Sequence, residues 1–415
     1  MVFFHHVTAG VRGICPWDRV RFELMRKKIV LFRGELNAAK SILLLPAIIV
    51  AGLCSACPQL PSPPAPPSPP PGLACTSLPT IQVLQPGYSP LNNPYTPPAA
   101  SGNTQQNYPL RSQILDDLST AFSNAPQTVK NDLCALTGVF IDSSSCPGGN
   151  VNNCQTGAFP VSWGYRSSEN IDRGNMYIAI PGVLWAGGDN THAILLSSYE
   201  QTVLNYFTQH AGNSSWGTTS RPLPTISSAT PDASWAAVLA ALSHELGHVK
   251  FNYTIHPNAT HGRNYNFAAL QPCSTGAGTS IPDFFSGWSY GNNPKKLVPK
   301  DTWRLFSHQE SDDNGLKIDH SMAPTLNDFR NSANDPNQLL YTLYTGSNQP
   351  WASFWGAWSP DEDFVETYVL YTLSANVQHL YISINGNSPY DIISGVSGKP
   401  DLQNKIQCLA NLPVI

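Results

Sequence analysis

The sequence predicts an α+β fold: a small sheet with helices around it, organised about one buried helix that carries two histidines. Three observations lead there. First, VFID (139–142), FPVSWGY (159–165) and NMYIAIPGVLW (175–185) are rich in β-branched and aromatic residues and read as strands. Second, helical runs stand beside them. Third, the run DASWAAVLAALSHELGHVKF (232–251) places Trp235, Val238, Leu239, Leu242, Leu246 and His248 at three- and four-residue steps, which predicts a helix from about Ala233 to Lys250 with one stripe facing inward.

Taken in order, the chain begins with an apolar run, SILLLPAIIVAGL (41–53), behind Lys27, Lys28, Arg33 and Lys40. It is too short for a comfortable membrane span and right for the apolar part of an export signal. Residues 1–24 read as an extension, with Met25 a more natural start, and residues 1–56 as the signal. Cys57 after Ala56 resembles the bacterial lipoprotein signal and is the lipidation candidate, with Cys54 the weaker alternative and ordinary signal cleavage left open. Residues 57–108 contain PQLPSPPAPPSPPPG, which favours extended polyproline II and builds no core, so this segment is expected to be a stalk.

Folded sequence is expected from about Leu110. RSQILDDLSTAFSNA (111–125) reads as a helix with Ile114, Leu115, Leu118 and Phe122 on one side, and TVKNDLCALTG (128–138) as a second helix ending at Gly138. The strands follow, then a helix over about 193–209, then the histidine helix with Asp232 or Ser234 as its cap. Between Phe251 and Trp358 only a short helix near Asn337–Tyr344 is legible. Aromatics are dense there, including Trp288, Tyr344, Trp351 and Trp355, and read better as core packing than as a substrate wall.

Composition narrows the function. A net charge of −4 and a pI near 6.2 exclude nucleic acid as an expected partner. Cys75, Cys134, Cys146, Cys154, Cys273 and Cys408 can form up to three bridges in an oxidising compartment. Cys134, Cys146 and Cys154 are close enough in sequence to staple one loop. Asn213, Asn252 and Asn258 open glycosylation sequons, which carry meaning only in a eukaryotic source.

His244-Glu245-Leu246-Gly247-His248 carries the chemistry. Side chains at i and i+4 lie one above the other on a helix, so His244 and His248 can grip one tetrahedral metal. Glu245 sits beside the ion, where it can hold a water as general base. Gly247 lets another backbone approach closely. Zinc in a catalytic site needs a third protein ligand. SPDEDFVETYVLYTL (359–373) supplies candidates: Glu362 and Glu366 share a helix face, and a carboxylate on so apolar a helix must be paired or bound to metal. Ser359-x-x-Glu362 also reads as a capping box, in which case Glu366 is the ligand.

These two helices resemble the gluzincins, the thermolysin-like clan of zinc peptidases. There a second helix supplies a glutamate ligand, and an acidic residue four positions later hydrogen-bonds a zinc-bound histidine. The metzincin pattern does not fit, because Phe251 and Thr254 stand where it needs Gly and His, and His256 reads as a loop histidine. The resemblance implies one catalytic Zn2+ held by His244, His248 and Glu362, with Glu245 as base and Glu366 orienting a histidine. It implies a zincin-like fold: residues 109–251 as an N-terminal subdomain with the small sheet and the motif helix, and residues 252–415 as a mainly helical, loop-rich C-terminal subdomain. The implied substrate is a protein or peptide, cut outside the cell or in its envelope. Tyr341, Tyr344 and His320 are candidates for stabilising the oxyanion. A non-catalytic zinc-binding surface lipoprotein is the alternative; a glycosidase using Glu362 and Glu366 is a third.

Overall fold

A computed structural model describes residues 75–84, 105–143, 163–164, 176–185, 225–227, 235–255, 270, 283–290, 297–299, 335–357, 360–385 and 387–415. All belong to one of two compact units, Gly72–Ile415; the other, Met1–Pro71, lies outside the described residues. The export signal and Cys57 fall in that unit; the helix expected near 193–209 and the caps Asp232 and Ser234 also lie outside the described residues. No described helix is long and apolar enough to cross a membrane.

The first sheet starts earlier in the chain than expected. Strand β1 (Ile81–Leu84) pairs in parallel with β2 (Gly138–Asp142), and Val83 and Tyr108 are buried. Residues 75–84 and 105–108, expected to be stalk, are therefore part of the folded unit. The four-residue run IQVL lies between Pro79 and Pro86, so the surrounding composition conceals it. Helices α1 (Arg111–Asn124) and α2 (Gln127–Cys134) form the crossover between β1 and β2. α1 buries Ile114, Leu118, Ala121 and Phe122, as its spacing predicts, while Leu115 is half-buried.

α2 stops at Cys134 rather than at Gly138. The Thr137 N–H donates to Met176 O at 2.7 Å and the Val139 N–H to Thr80 O at 2.9 Å, which draws the chain into the sheet. Gly138 opens β2 because a Cβ there would lie 3.0 Å from both the Phe140 ring and Thr80 O. Strand β4 (Tyr177–Pro181) is parallel to β2, and β3 (Trp163–Gly164) is antiparallel to β4, giving the order β1-β2-β4-β3. β2 and β4 are buried along their whole length, as central strands covered on both faces should be. The expected strand over 175–185 ends at Pro181, which lacks an N–H for the ladder, and Gly182–Trp185 turns as a 3-10 helix.

Cys134 is bonded to Cys75, 59 residues away, and so does not staple a loop with Cys146 and Cys154, which lie outside the described residues. The bridge closes the whole β1-α1-α2 crossover. A loop of that length confers about 4 kcal/mol in the chain-entropy account. Cys408 is also disulfide-bonded.

Strand β5 (Ile226–Ser227) precedes the central helix α3 (Trp235–Thr254). α3 continues past Lys250 because the Thr254 hydroxyl donates to Lys250 O at 2.7 Å and the Ile255 N–H to Phe251 O at 2.8 Å. It is buried on nearly every side: α1, α2, β3 and β4 pack on it, and helix α5 (Pro360–Ser374) is its most extensive partner. Before α5 come the β6–β7 hairpin (Trp288–Tyr290 and Leu297–Pro299) and helix α4 (Pro336–Thr345), one residue longer at each end than the helix read near Asn337–Tyr344. After α5, strands β8 (Tyr381–Ile384) and β9 (Tyr390–Asp391) join β5 in a three-stranded antiparallel sheet. The short α6 (Ile392–Gly395) and α7 (Pro400–Ala410) complete the described chain. Trp288, Tyr344 and Trp351 are fully buried, which bears out the reading of these aromatics as core. The architecture is α+β, mostly helical with a small sheet.

Candidate metal centre

His244, Glu245 and His248 project from α3 toward the first two turns of α5. The helices approach closely at Gly247: a Cβ built there would meet Val365 Cα at 3.2 Å and both its Cγ atoms at 3.4 Å. Two buried ion pairs hold the helices in place. On α3, Lys250 donates to Asp132 Oδ2 at 2.6 Å and to Pro413 O at 2.9 Å; Asp132 also accepts the Tyr368 hydroxyl at 2.8 Å and the Ile415 N–H at 3.0 Å. On α5, Asp363 accepts Lys405 Nζ at 2.7 and 2.6 Å and the Trp288 indole N–H at 2.9 Å. Each pair lies within two residues of a ligand candidate, so ligand spacing is set by buried contacts.

The two imidazoles stand edge to face, and their Nε2 atoms are 3.3 Å apart. Glu362 reaches them both, Oε1 lying 3.7 Å from His248 Nε2 and Oε2 lying 4.0 Å from His244 Nε2. One donor atom from each of His244, His248 and Glu362 can be chosen so that all lie within 4.8 Å of one another. Glu366 Oε1 is 2.8 Å from His244 Nδ1 and accepts its N–H. Glu245 Oε1 is 3.9 Å from His244 Nε2, beside the donor set. Asp361 Oδ1 is 3.4 Å from His248 Nδ1. The His248 side chain is 21% exposed against 10% for His244 and 1% for Glu366, so the centre is more open at His248.

These donors fit a divalent cation. Zinc–imidazole bonds of about 2.0–2.1 Å make a tetrahedral edge of about 3.3 Å, the separation seen between the Nε2 atoms. With its Nδ1–H given to Glu366, His244 presents a lone pair at Nε2, which can accept an N–H from His248 Nε2 or bind a cation shared with it. Glu362 is pushed well above the ordinary carboxylate range, first by burial and then by Asp361, Glu366 and Glu245, while the Trp355 side chain favours its ionised form. A positive ion among these groups reverses that balance. Two imidazoles and a carboxylate form a set that zinc accepts, with a position left for water.

The structure thus brings together the five residues singled out by sequence: His244, Glu245, His248, Glu362 and Glu366. Of the two ligand alternatives, it is Glu362 that converges with the rings, while Glu366 stands behind His244. Ser359 lies outside the described residues, as do His256 and His320. Tyr344 is buried in the core with its hydroxyl accepting the Phe354 N–H at 3.1 Å, and Tyr341 packs half-buried against the same core. Sequence reasoning passed over Asp361 and Trp355. The available signal for Asp361 was the run of three acids opening an otherwise apolar helix; for Trp355 there was none beyond its place in an aromatic-rich stretch. No family model matches the chain, and neither a curated protein nor a solved structure matches it.

Proposed function

We propose that this chain is a zinc-dependent metallopeptidase of the gluzincin type, in which His244, His248 and Glu362 hold the ion and Glu245 is the general base. The observation that carries the reading is the placement of Glu362 against the Nε2 edge of both histidines, with Glu245 beside the set. The ion, when bound, supplies Lewis acidity toward a substrate carbonyl and acidity to a water. Glu245 takes that water's proton on its carboxylate and passes it to the leaving amine. Glu366 fixes the tautomer of His244 by accepting its Nδ1–H, so Nε2 is free to bind. Burial of the donor set keeps bulk water from competing and strengthens the electrostatics. The greater exposure of His248 supports an approach of the peptide from that side. The Cys75–Cys134 bridge is in keeping with an exported protein, and attachment through a lipid on Cys57 belongs to the same proposal.

Glu245→Gln tests it. Parent and variant should each bind one zinc per chain, and the variant should lose peptide hydrolysis by a factor of about 10²–10⁴. Metal analysis with a peptide-library cleavage assay reads both. Hydrolysis at the parental rate in that variant removes Glu245 from the mechanism. Zinc binding by the parent with no cleavage of any library peptide turns the reading into a metal-binding protein without peptidase activity.

A further inference from the structure

α5 opens with three consecutive carboxylates, Asp361, Glu362 and Asp363, all buried. Successive residues on a helix are rotated by about 100°, so the three reach different partners. Glu362 faces the two Nε2 atoms, and Asp363 is consumed by Lys405 and Trp288. Asp361 faces Nδ1 of His248 at 3.4 Å. One turn later, Glu366 faces Nδ1 of His244 at 2.8 Å. Each imidazole therefore has its own carboxylate at the nitrogen turned away from the centre. The positive end of the α5 macrodipole favours negative side chains in this first turn.

We propose that Asp361 is a positioning residue for His248: it holds the Nδ1–H tautomer and orients the ring so that Nε2 offers its lone pair to the metal. A neutral imidazole carries one N–H, and the partner of one nitrogen decides which. A carboxylate beside Nδ1 retains the hydrogen there and makes Nε2 the more basic ligand. His248 depends on this more than His244 does, because its side chain is about twice as exposed, at 21% against 10%, and so is held less by packing. The inference rests on reading His244, His248 and Glu362 as the metal centre.

The test uses the full chain with 15N-labelled histidine, prepared metal-free and studied above the histidine titration range. Long-range 15N–1H correlation identifies the tautomer, and His248 is assigned by its loss in His248→Gln. The parent should show Nδ1–H at His248. Asp361→Ala should move the ring toward Nε2–H and weaken zinc in a chelator competition by about 10- to 100-fold. Asp361→Asn, which keeps an acceptor oxygen and loses the charge, should fall between the two. An Nε2–H tautomer in the metal-free parent overturns the proposal, even if Asp361→Ala proves too unstable to purify. So does Asp361→Ala with an unchanged tautomer and zinc affinity within about threefold of the parent, whatever its thermal stability. A parent that binds no zinc sinks the peptidase reading, and the tautomer still decides the role of Asp361.

Discussion

Gly247 separates the second histidine from the first three motif residues, and its missing side chain is what the packing uses. A Cβ there would lie 3.2 Å from the Val365 backbone, so a substitution must push α5 off α3 by some tenths of an ångström. Alanine raises helix propensity by up to about 1 kcal/mol over glycine, whereas overpacking a core contact costs about 1–3 kcal/mol. The second effect wins at a contact made by backbone, which cannot rotate away. Gly247→Ala is therefore expected to lose about 1 kcal/mol of stability and to weaken zinc, because Glu362 moves with α5. Denaturant unfolding and chelator competition measure the two losses, and a variant more stable than the parent with parental zinc affinity contradicts the argument.

Elements carry most of what could be read in advance and most of what could not. The i, i+4 spacing of His244 with His248 and of Glu362 with Glu366 put each pair on one face of one helix, and the structure keeps both faces together. The partners that hold those helices were hidden, because Asp132 and Lys250 are 118 positions apart and Asp363 and Lys405 are 42 apart, with no local pattern joining them. β1 was hidden by its proline-rich surroundings. Lys399 is a further buried contact between elements: its Nζ donates to Leu343 O at 3.0 Å, linking the last turn of α4 to the start of α7. Burial lowers its pKa from 10.5 to about 8. Below pH 8 both folded and unfolded chains carry the proton, and the cost of burying the charge is felt in full. Between about pH 8 and 10.5 the unfolded chain binds more protons, so this group makes stability rise with pH. Relative to Lys399→Met, the parent should thus gain as much as about 3 kcal/mol across that window. Parallel stability curves for the two proteins would show that the lysine is not perturbed.

At the scale of the whole molecule, the candidate metal centre lies between two helices, α3 and α5, that are far apart in the chain. Glu366 meets His244 across 122 positions, and Glu362 faces rings borne by the other helix. An ion held between α3 and α5 binds the folded chain and not the unfolded one, so its binding free energy adds to folding. At free zinc 1,000-fold above its Kd this amounts to about 4 kcal/mol. The metal-free protein has a further reason to be weaker, since Glu245, Asp361, Glu362 and Glu366 then crowd one buried region, and Glu362 is the group they push up. The apolar core and the two buried ion pairs remain, so stripping should loosen the fold without abolishing it. Chelation is expected to lower Tm by about 5–8 °C, at about 2 °C or slightly less per kcal/mol for a chain of this size, and zinc should restore it. Glu362→Ala should start from a lower Tm and show little response to either treatment. If metal analysis confirms stripping and the parental Tm does not move, the two helices are held by their packing alone and no ion is shared between them.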